Sequence, residues 1–151
     1  MRIGREFVLI RTSIDDCGYK ELAAKARAAL ENAYCPYSGY RVGAAVLTSD
    51  GAVYTGCNIE NGSYGATNCA ERTAVFKAVS EGHRKITAVA ICTDDGGETP
   101  FPCGICRQVL SEFCEPDIPI IICDGSDSCY NAELAELLPY SFQFNKERDS
   151  V

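Results

Sequence analysis

Cys69-Ala70-Glu71 and Pro102-Cys103-Gly104-Ile105-Cys106 are the two segments that decide how the fold and chemistry of this chain are interpreted. A Cys-x-x-Cys pair and one distant cysteine supply three protein ligands, the number that leaves a fourth position on a zinc ion open for a water molecule. Glu71 lies two residues after the first cysteine, where its carboxylate can reach that water. The spacing therefore predicts an open zinc site with Cys69, Cys103 and Cys106 as ligands and Glu71 as the acid–base group.

The other cysteines allow a different interpretation, because ten cysteines in a short chain can form the disulfide framework of a secreted domain. The apolar run Phe7-Val8-Leu9-Ile10 is too short for the core of a secretory leader, so we expect no leader and a reducing compartment. Most of the remaining cysteines lie within apolar stretches, where a reduced cysteine behaves as a small hydrophobic residue. These cysteines are Cys17, Cys35, Cys57, Cys92, Cys114, Cys123 and Cys129.

Two local patterns compete with the zinc interpretation. A single Cys-x-x-Cys pair is typical of thioredoxin-like redox proteins, but that function leaves Cys69 and Glu71 without a role. The segment from Asn68 to Glu71 is also typical of a capping box, with Asn68 as the N-cap and Glu71 as its partner. The second cysteine segment favours the zinc site over both alternatives.

The composition limits the possible functions. The 151 residues are 46% hydrophobic, which fits one domain with a substantial core. A net charge of −7 disfavours a protein that binds DNA or RNA, because such proteins present a basic surface. No apolar run approaches the roughly 20 residues that cross a bilayer. We therefore expect a cytoplasmic protein that acts on a small molecule, without nucleic-acid or membrane partners.

Hydrophobic periodicity predicts alternating strands and helices. Apolar runs at 42–47 and 52–57, joined by Ser49-Asp50-Gly51, predict a β-hairpin. This order of elements predicts an α/β fold whose mixed sheet is covered by helices on both faces. The other predicted elements are helices at 17–34, 69–80, 103–115 and 131–138 and buried strands at 86–92 and 118–123.

We assign residues 16–145 to a single domain, preceded by an extension of residues 1–15 and followed by a tail of residues 146–151. Both cysteine segments begin helices at the same edge of the predicted sheet. Helix N-termini carry partial positive charge, which favours thiolates. Arg72 can add to this effect by donating hydrogen bonds to the ligand sulfurs, although a solvated helix arginine is an equally good interpretation of that residue.

The chain resembles the small homotetrameric cytidine deaminases over nearly all of residues 34–142, because several motifs of that family occur in order. The zinc deaminase pattern, in which a ligand precedes a glutamate by two residues and Pro-Cys-x-x-Cys follows, is present in its all-cysteine form. The motifs are Pro36-Tyr37-Ser38, Val42-Gly43-Ala44-Ala45, Gly56-Cys57-Asn58-Ile59-Glu60-Asn61, Cys69-Ala70-Glu71-Arg72-Thr73-Ala74, Pro102-Cys103-Gly104-Ile105-Cys106-Arg107-Gln108 and Leu137-Leu138-Pro139.

The resemblance implies a three-layer α/β/α sandwich with a mixed five-stranded sheet, assembled as a homotetramer with one zinc ion per subunit. It implies zinc-dependent hydrolytic deamination of cytidine and deoxycytidine to uridine and deoxyuridine, a step of pyrimidine salvage. Glu71 would move protons to N3 and to the departing amino group. Both sugars present a 3′-hydroxyl, so the sequence does not rank the two substrates.

The resemblance also implies substrate contacts within one subunit. Asn58 and Glu60 would bind the ribose hydroxyls, although without the resemblance a polar turn after a strand would be the preferred interpretation of these two residues. The backbone N–H of Ala70 would meet the pyrimidine carbonyl, and Tyr40 would lie beside the base.

Other implied contacts cross subunit boundaries, because Tyr64 and Phe142 would approach the pocket of a neighbouring subunit. Three positions depart from the family pattern: Tyr40 replaces the usual Phe, Gly62 a usual Ala and Phe101 a common Ser. None of the three is a metal ligand, so we expect these departures to tune substrate affinity and to leave activity in place.

Two other functions stay open on the sequence. A deaminase of the same fold that acts on another aminated base, such as the blasticidin deaminases, is disfavoured by Asn58 and Glu60, since a ribose-binding pair suits a nucleoside. A non-catalytic zinc-stabilised module would need a fourth protein ligand, and none is evident near the three cysteines. His83, the only histidine, follows a helix end at Gly82 and is expected to be exposed and not a ligand.

Overall fold

The computed structural model describes residues 9–144, which form six strands and four α-helices. Short 3₁₀ turns lie at Ala29–Asn32 and Tyr64–Ala66. The strands are β1 (Ile10–Ser13), β2 (Val42–Thr48), β3 (Val53–Cys57), β4 (Ile86–Thr93), β5 (Pro119–Cys123) and β6 (Ser128–Glu133). The helices are α1 (Lys20–Ala28), α2 (Ala70–Ser80), α3 (Gly104–Phe113) and α4 (Leu134–Leu137).

The six strands form one mixed sheet in the order β1-β6-β5-β4-β2-β3. β4 and β5 run parallel, and every other neighbouring pair in this sheet is antiparallel. The β2–β3 pairing confirms the predicted hairpin, and the mixed sheet with helices on both faces confirms the predicted three-layer sandwich. The expected strand number of five is wrong, because β1 and β6 add to the four strands that the apolar runs predict.

Successive residues of the central strands point to opposite faces of the sheet, as the pleat requires, and so build two separate cores. On one face Ala44, Val89 and Ile120 pack with residues of α2 and α3. On the other face Ala45 and Ala90 pack with residues of α1. Small alanines in the central strands let the helices lie close to the sheet on both sides.

β6 corrects a prediction from the sequence. The pattern at 131–138 predicts a helix, but residues 128–133 pair with β5 and only Leu134–Leu137 are helical. Glu133 and Glu136 form a capping box at the start of α4, in which each side chain accepts a hydrogen bond from the other's backbone. The predicted helix is therefore present, but it begins at Leu134, after the Glu133 cap, and not at residue 131.

The N-terminal segment joins the sheet at its edge. β1 pairs antiparallel with β6 from Ile10 to Ser13, within the segment that the sequence assigns to an extension. Residues 1–8 and the predicted tail at 146–151 lie outside the described residues. Across residues 9–144, no helix combines the length and the apolar composition needed to cross a membrane.

Cys123 and Cys129 are joined by a disulfide, which corrects the expectation that the non-ligand cysteines are reduced. The two residues lie directly opposite each other in the β5–β6 pairing, and both side chains are fully buried. The other predicted hydrophobic cysteines of this group are free, and most of them are buried.

Gly56 allows α2 to lie directly on β3. A Cβ atom at this position would be 2.5 Å from the backbone oxygen of Ala70 and 2.5 Å from the backbone nitrogen of Ala74. Both distances are far shorter than an ordinary van der Waals contact. The missing side chain therefore fixes the distance between the sheet and the first turns of α2, the helix that follows Cys69.

Candidate active site

Three cysteine sulfurs converge where two helices begin. Cys69 is the N-cap residue of α2, Cys103 is the N-cap residue of α3, and Cys106 lies in the first turn of α3. Their Sγ atoms all lie within 4.8 Å of one another, with 3.8 Å between Cys69 and Cys103. Within residues 9–144, this is the one group of three or more histidine, cysteine or acidic side chains close enough to share a metal ion.

This donor set fits a zinc ion with an open position. Thiolates are preferred zinc ligands, and a closed structural site uses four protein ligands whereas a catalytic site uses three. No fourth ligand from the described residues joins the group. Cys106 is buried, Cys69 is half-buried and Cys103 is exposed, so the cluster is accessible from one side.

Arg72 contacts the sulfur cluster. One of its Nη atoms lies 3.4 Å from the Sγ atom of Cys69. A hydrogen bond from Cys106 lowers the pKa of the Cys69 thiol to about 5. Burial acts in the opposite direction, and the hydrogen bond and positive charge of Arg72 add to the lowering. Burial alone would lower the pKa of Arg72, but hydrogen bonds to the sulfurs of Cys69 and Cys106 raise it above its usual value. The arginine therefore faces the sulfurs and is not a solvated helix residue.

Glu71 is the second residue of α2, and its side chain is only 4% exposed. Burial raises the pKa of its carboxyl to about 7, opposed in part by a backbone hydrogen bond. A group with such a pKa can both accept and release a proton near neutrality. The capping-box interpretation requires Asn68 as the N-cap residue, but α2 begins one residue later, with Cys69 as its N-cap. No side chain forms a capping hydrogen bond at this end of the helix. Capping therefore does not explain Glu71.

A cavity of about 280 Å³ opens beside the sulfurs and brings together most of the residues that the sequence singles out. It includes Glu71 and two of the three cysteines, together with Ala70 at the start of α2. Its walls are formed by Ser38, Tyr40, Val42, Asn58, Glu60, Thr67, Asn68, Cys69, Ala70, Glu71, Pro100, Phe101 and Cys103.

Asn58 connects two backbone segments at one end of this cavity. Its Nδ2 donates to the carbonyl oxygen of Tyr40 at 2.8 Å, and its Oδ1 accepts from the N–H of Val42 at 2.9 Å. An amide group has a second N–H and a second lone pair. The side chain is thus held in place by the protein and still has hydrogen-bonding capacity toward the cavity.

Glu60 is held by the loop before β2. Its Oε2 accepts from the backbone N–H of Tyr37 at 2.8 Å and of Ser38 at 3.2 Å, and its Oε1 accepts from the Ser38 hydroxyl. The hydrogen bond from the Ser38 hydroxyl, with those from the two N–H groups, lowers the pKa of Glu60. The carboxylate therefore stays charged at the cavity wall.

Tyr40 lies half-buried in the cavity wall. Burial raises the pKa of its phenol, while a hydrogen bond with Thr93 acts in the opposite direction. Thr93 is fully buried and donates to the carbonyl oxygen of Arg41 at 2.8 Å. The hydroxyl that distinguishes Tyr40 from phenylalanine therefore has a polar partner.

Tyr64 and Phe142 do not line this cavity. The ring of Tyr64 is 81% exposed and has an edge contact with Tyr37, whereas Phe142 is 69% exposed and contacts Phe144. Both aromatic rings therefore lie on the surface of the subunit, outside its own cavity.

His83 is not part of the site. Its Nδ1 lies 3.0 Å from the Oδ2 of Asp50, and its ring packs against Tyr54. The residue is half-buried, which corrects the expectation that it is exposed. It lies outside the cysteine group, in agreement with the prediction that it is not a ligand.

Two further residues, Ser38 and Arg107, build the site without an assigned role in the sequence. Ser38 holds Glu60, and its only signal was its place in the Pro36-Tyr37-Ser38 motif. Arg107 donates from Nε to the carbonyl oxygen of Pro102 at 2.7 Å and from Nη1 to that of Leu137 at 2.7 Å. It thereby fixes the peptide before Cys103, and its presence in the motif after Cys106 was the available signal.

Comparison with known proteins identifies the family. Residues 18–122 match the model of the family described as "Cytidine and deoxycytidylate deaminase zinc-binding region". The chain belongs to this family. The curated cytidine deaminase of Sporosarcina psychrophila is 48% identical to it over 123 residues, which cover 82% of this chain and 90% of that protein. Zinc is accordingly the cofactor for which the sulfur cluster is suited.

Solved structures agree in fold. The crystal structure of cytidine deaminase from Burkholderia pseudomallei has a TM-score of 0.78 and 41% identity, and the match covers 82% of this chain and 98% of that one. The crystal structure of cytidine deaminase from Mycobacterium tuberculosis has a TM-score of 0.73 and 40% identity, over 85% of this chain and 100% of that one.

Proposed function

We propose that this protein catalyses the zinc-dependent hydrolytic deamination of cytidine and deoxycytidine to uridine and deoxyuridine. The observation that carries the proposal is the cluster of three cysteine sulfurs at the wall of a cavity that also contains the buried carboxyl of Glu71. The relatives described above are named cytidine deaminases, which supports cytidine as the substrate.

Cys69, Cys103 and Cys106 hold the zinc ion in this proposal. When bound, zinc supplies a nucleophile at neutral pH by lowering the pKa of a water molecule. Glu71 accepts one proton of the attacking water at its carboxylate and delivers it to N3 of the pyrimidine. It then takes the second proton, from the hydroxyl added at C4, and delivers it to the amino group, which leaves as ammonia. Its burial and its pKa of about 7 suit a group that must hold and release a proton.

The start of α2 positions the base. The first N–H groups of a helix have no partner within the helix, so the N–H of Ala70 can donate to the pyrimidine carbonyl. Tyr40 packs beside the ring. The free N–H and lone pair of the Asn58 amide donate to and accept from the ribose hydroxyls, and the Glu60 carboxylate accepts from them. Arg72 supports the thiolates through its hydrogen bond to Cys69.

Assembly and location complete the proposal. The exposed rings of Tyr64 and Phe142 enter the pocket of a neighbouring subunit in a homotetramer. Bound ligands are usually largely buried, whereas the cavity of one small domain encloses a nucleoside poorly. The rings of a neighbouring subunit would complete the enclosure. Residues 16–145 form the deaminase domain, preceded by an extension of residues 1–15 whose strand β1 pairs with the sheet of the domain, and followed by a tail of residues 146–151. The protein acts in the cytoplasm in pyrimidine salvage.

An absorbance assay with cytidine, combined with metal analysis, tests the function. The proposal predicts one zinc ion per chain and conversion of cytidine and deoxycytidine to the uridine products with release of ammonia. Zinc without turnover of any aminated base would indicate a structural module. Turnover of a different aminated base but not of cytidine would indicate another deaminase of the same fold.

A further inference from the structure

Phe101 forms an aromatic part of the cavity wall. It lies between Pro100 and Pro102, two residues before Cys103, and its side chain is 38% exposed. An aromatic ring that is partly exposed to a cavity gains apolar contact area when a ligand fills the space. From the sequence, the replacement of a common serine by Phe101 is expected to tune substrate affinity, but the sequence does not indicate which contact the ring makes.

The ring of Phe101 rests on a second aromatic ring from the sheet. Its centroid lies 6.0 Å from that of Tyr130, at an angle of 40° between the planes. Tyr130 belongs to β6 and packs against the core beneath α2 and α3. Because that core is closely packed, Tyr130 restricts the positions that the Phe101 ring can take.

The loop that carries Phe101 is held to the same hairpin at its other end. The N–H of Gly125, in the turn between β5 and β6, donates to the carbonyl oxygen of Asp95 at 2.9 Å. A Cβ atom at Gly125 would lie 2.4 Å from the carbonyl oxygen of Asp94, so only glycine permits this approach. The β5–β6 hairpin thus contacts the loop near its beginning and near its end.

We propose that Phe101 is a substrate-affinity determinant: its ring packs against an apolar surface of the bound nucleoside, and Tyr130 is the positioning residue that holds it there. This inference rests on the proposed function. The polar groups of the cavity, Asn58, Glu60 and Glu71, orient the substrate by hydrogen bonds. Phe101 supplies the apolar contact, which is made equally in the ground state and the transition state and therefore acts on KM.

The test measures kcat and KM for cytidine in Phe101→Ala, Phe101→Leu, Tyr130→Leu and Tyr130→Phe. Phe101→Ala should raise KM about fivefold to tenfold with kcat nearly unchanged, because apolar contact area is lost. Phe101→Leu should recover part of the affinity. Tyr130→Leu should raise KM by about twofold to fivefold through the lost ring contact, whereas Tyr130→Phe keeps the ring and should match the parent protein.

A matched control and a double variant separate this role from a general loss of structure. Phe76 is an exposed aromatic residue of α2 outside the cavity, and Phe76→Ala should leave KM unchanged. Combining Tyr130→Leu with Phe101→Ala should raise KM no further than Phe101→Ala alone, because Tyr130 acts through Phe101. An active parent protein whose KM is unchanged by Phe101→Ala would overturn the inference, whereas an inactive parent protein would overturn the proposed function.

Discussion

Replacing Gly56 by alanine should damage the zinc site without changing any residue that lines it. The added Cβ would lie 2.5 Å from the Ala70 carbonyl oxygen, 2.5 Å from the Ala74 nitrogen and 2.8 Å from the Cβ of Thr73. Two of these three atoms belong to the backbone, so no side-chain rotation relieves the contact. The first turns of α2 must therefore move away from β3.

The size of the effect follows from these distances. Ordinary contacts begin at about 3.5 Å, so the start of α2 has to shift by roughly 1 Å. Overpacking of this kind costs about 1–3 kcal/mol of unfolding free energy. The shift carries Cys69 and Glu71 with the helix while Cys103 stays with α3, and a misplacement of about 1 Å in an active site can lower the rate by about 10²-fold.

Urea unfolding, zinc content and cytidine turnover measure the three consequences. Gly56→Ala should unfold at lower urea concentration, hold less zinc after dialysis and turn over cytidine far more slowly than the parent protein. Gly96→Ala is the matched control, because Gly96 has no atom within 4 Å of its added Cβ. If Gly56→Ala matched the parent protein in stability, zinc content and rate, the argument that glycine sets the position of α2 would be wrong.

Three further predictions concern the ligands and the assembly. Cys103→Ala should carry little zinc and melt at lower temperature, because metal bound to the folded state adds to folding free energy; stoichiometric zinc with normal turnover would contradict the three-cysteine site. Arg72→Ala should weaken zinc binding or activity by about 10- to 100-fold, as measured by competition with a chelator, and an unchanged zinc affinity and rate would show that its contact with Cys69 is incidental. Phe142→Ala should raise KM for cytidine more than it lowers zinc content, and sedimentation of a fully active monomer at assay concentration would contradict a pocket shared between subunits.

The local parts of the fold follow from the sequence. Asp50-Gly51 between two apolar runs gives the β2–β3 hairpin, and Gly82, with a φ of +97°, ends α2 as a C′ glycine should. The convergence of the three cysteines was also predictable, because each cysteine segment begins a helix on the same side of the sheet. The hairpin and the helix end depend on residues close together in the chain, whereas the convergence of the cysteines depends on the placement of two helix starts.

Features that depend on distant pairing were missed. β1 is recognisable only through its pairing with β6, and β6 itself was obscured by the helical pattern that continues from Asn131 into α4. With residues 131–133 interpreted as the start of a helix, the strand that contains Cys129 was not recognised. The disulfide between Cys123 and Cys129 was therefore not expected, because it depends on their being opposite each other in the sheet. The wall formed by Phe101 and Tyr130 depends on the same strand.

Glu71→Gln tests the central claim most directly, because the amide keeps the size of the buried side chain but cannot move protons. Zinc content, thermal unfolding and kcat for cytidine should be measured together, with Glu112→Gln, a change of an exposed acid on α3, as the control. The account predicts that Glu71→Gln retains zinc and the fold while kcat falls by about 10²- to 10⁴-fold. A variant that holds zinc and keeps more than about a tenth of the parent kcat would contradict the role of Glu71 as the general acid–base.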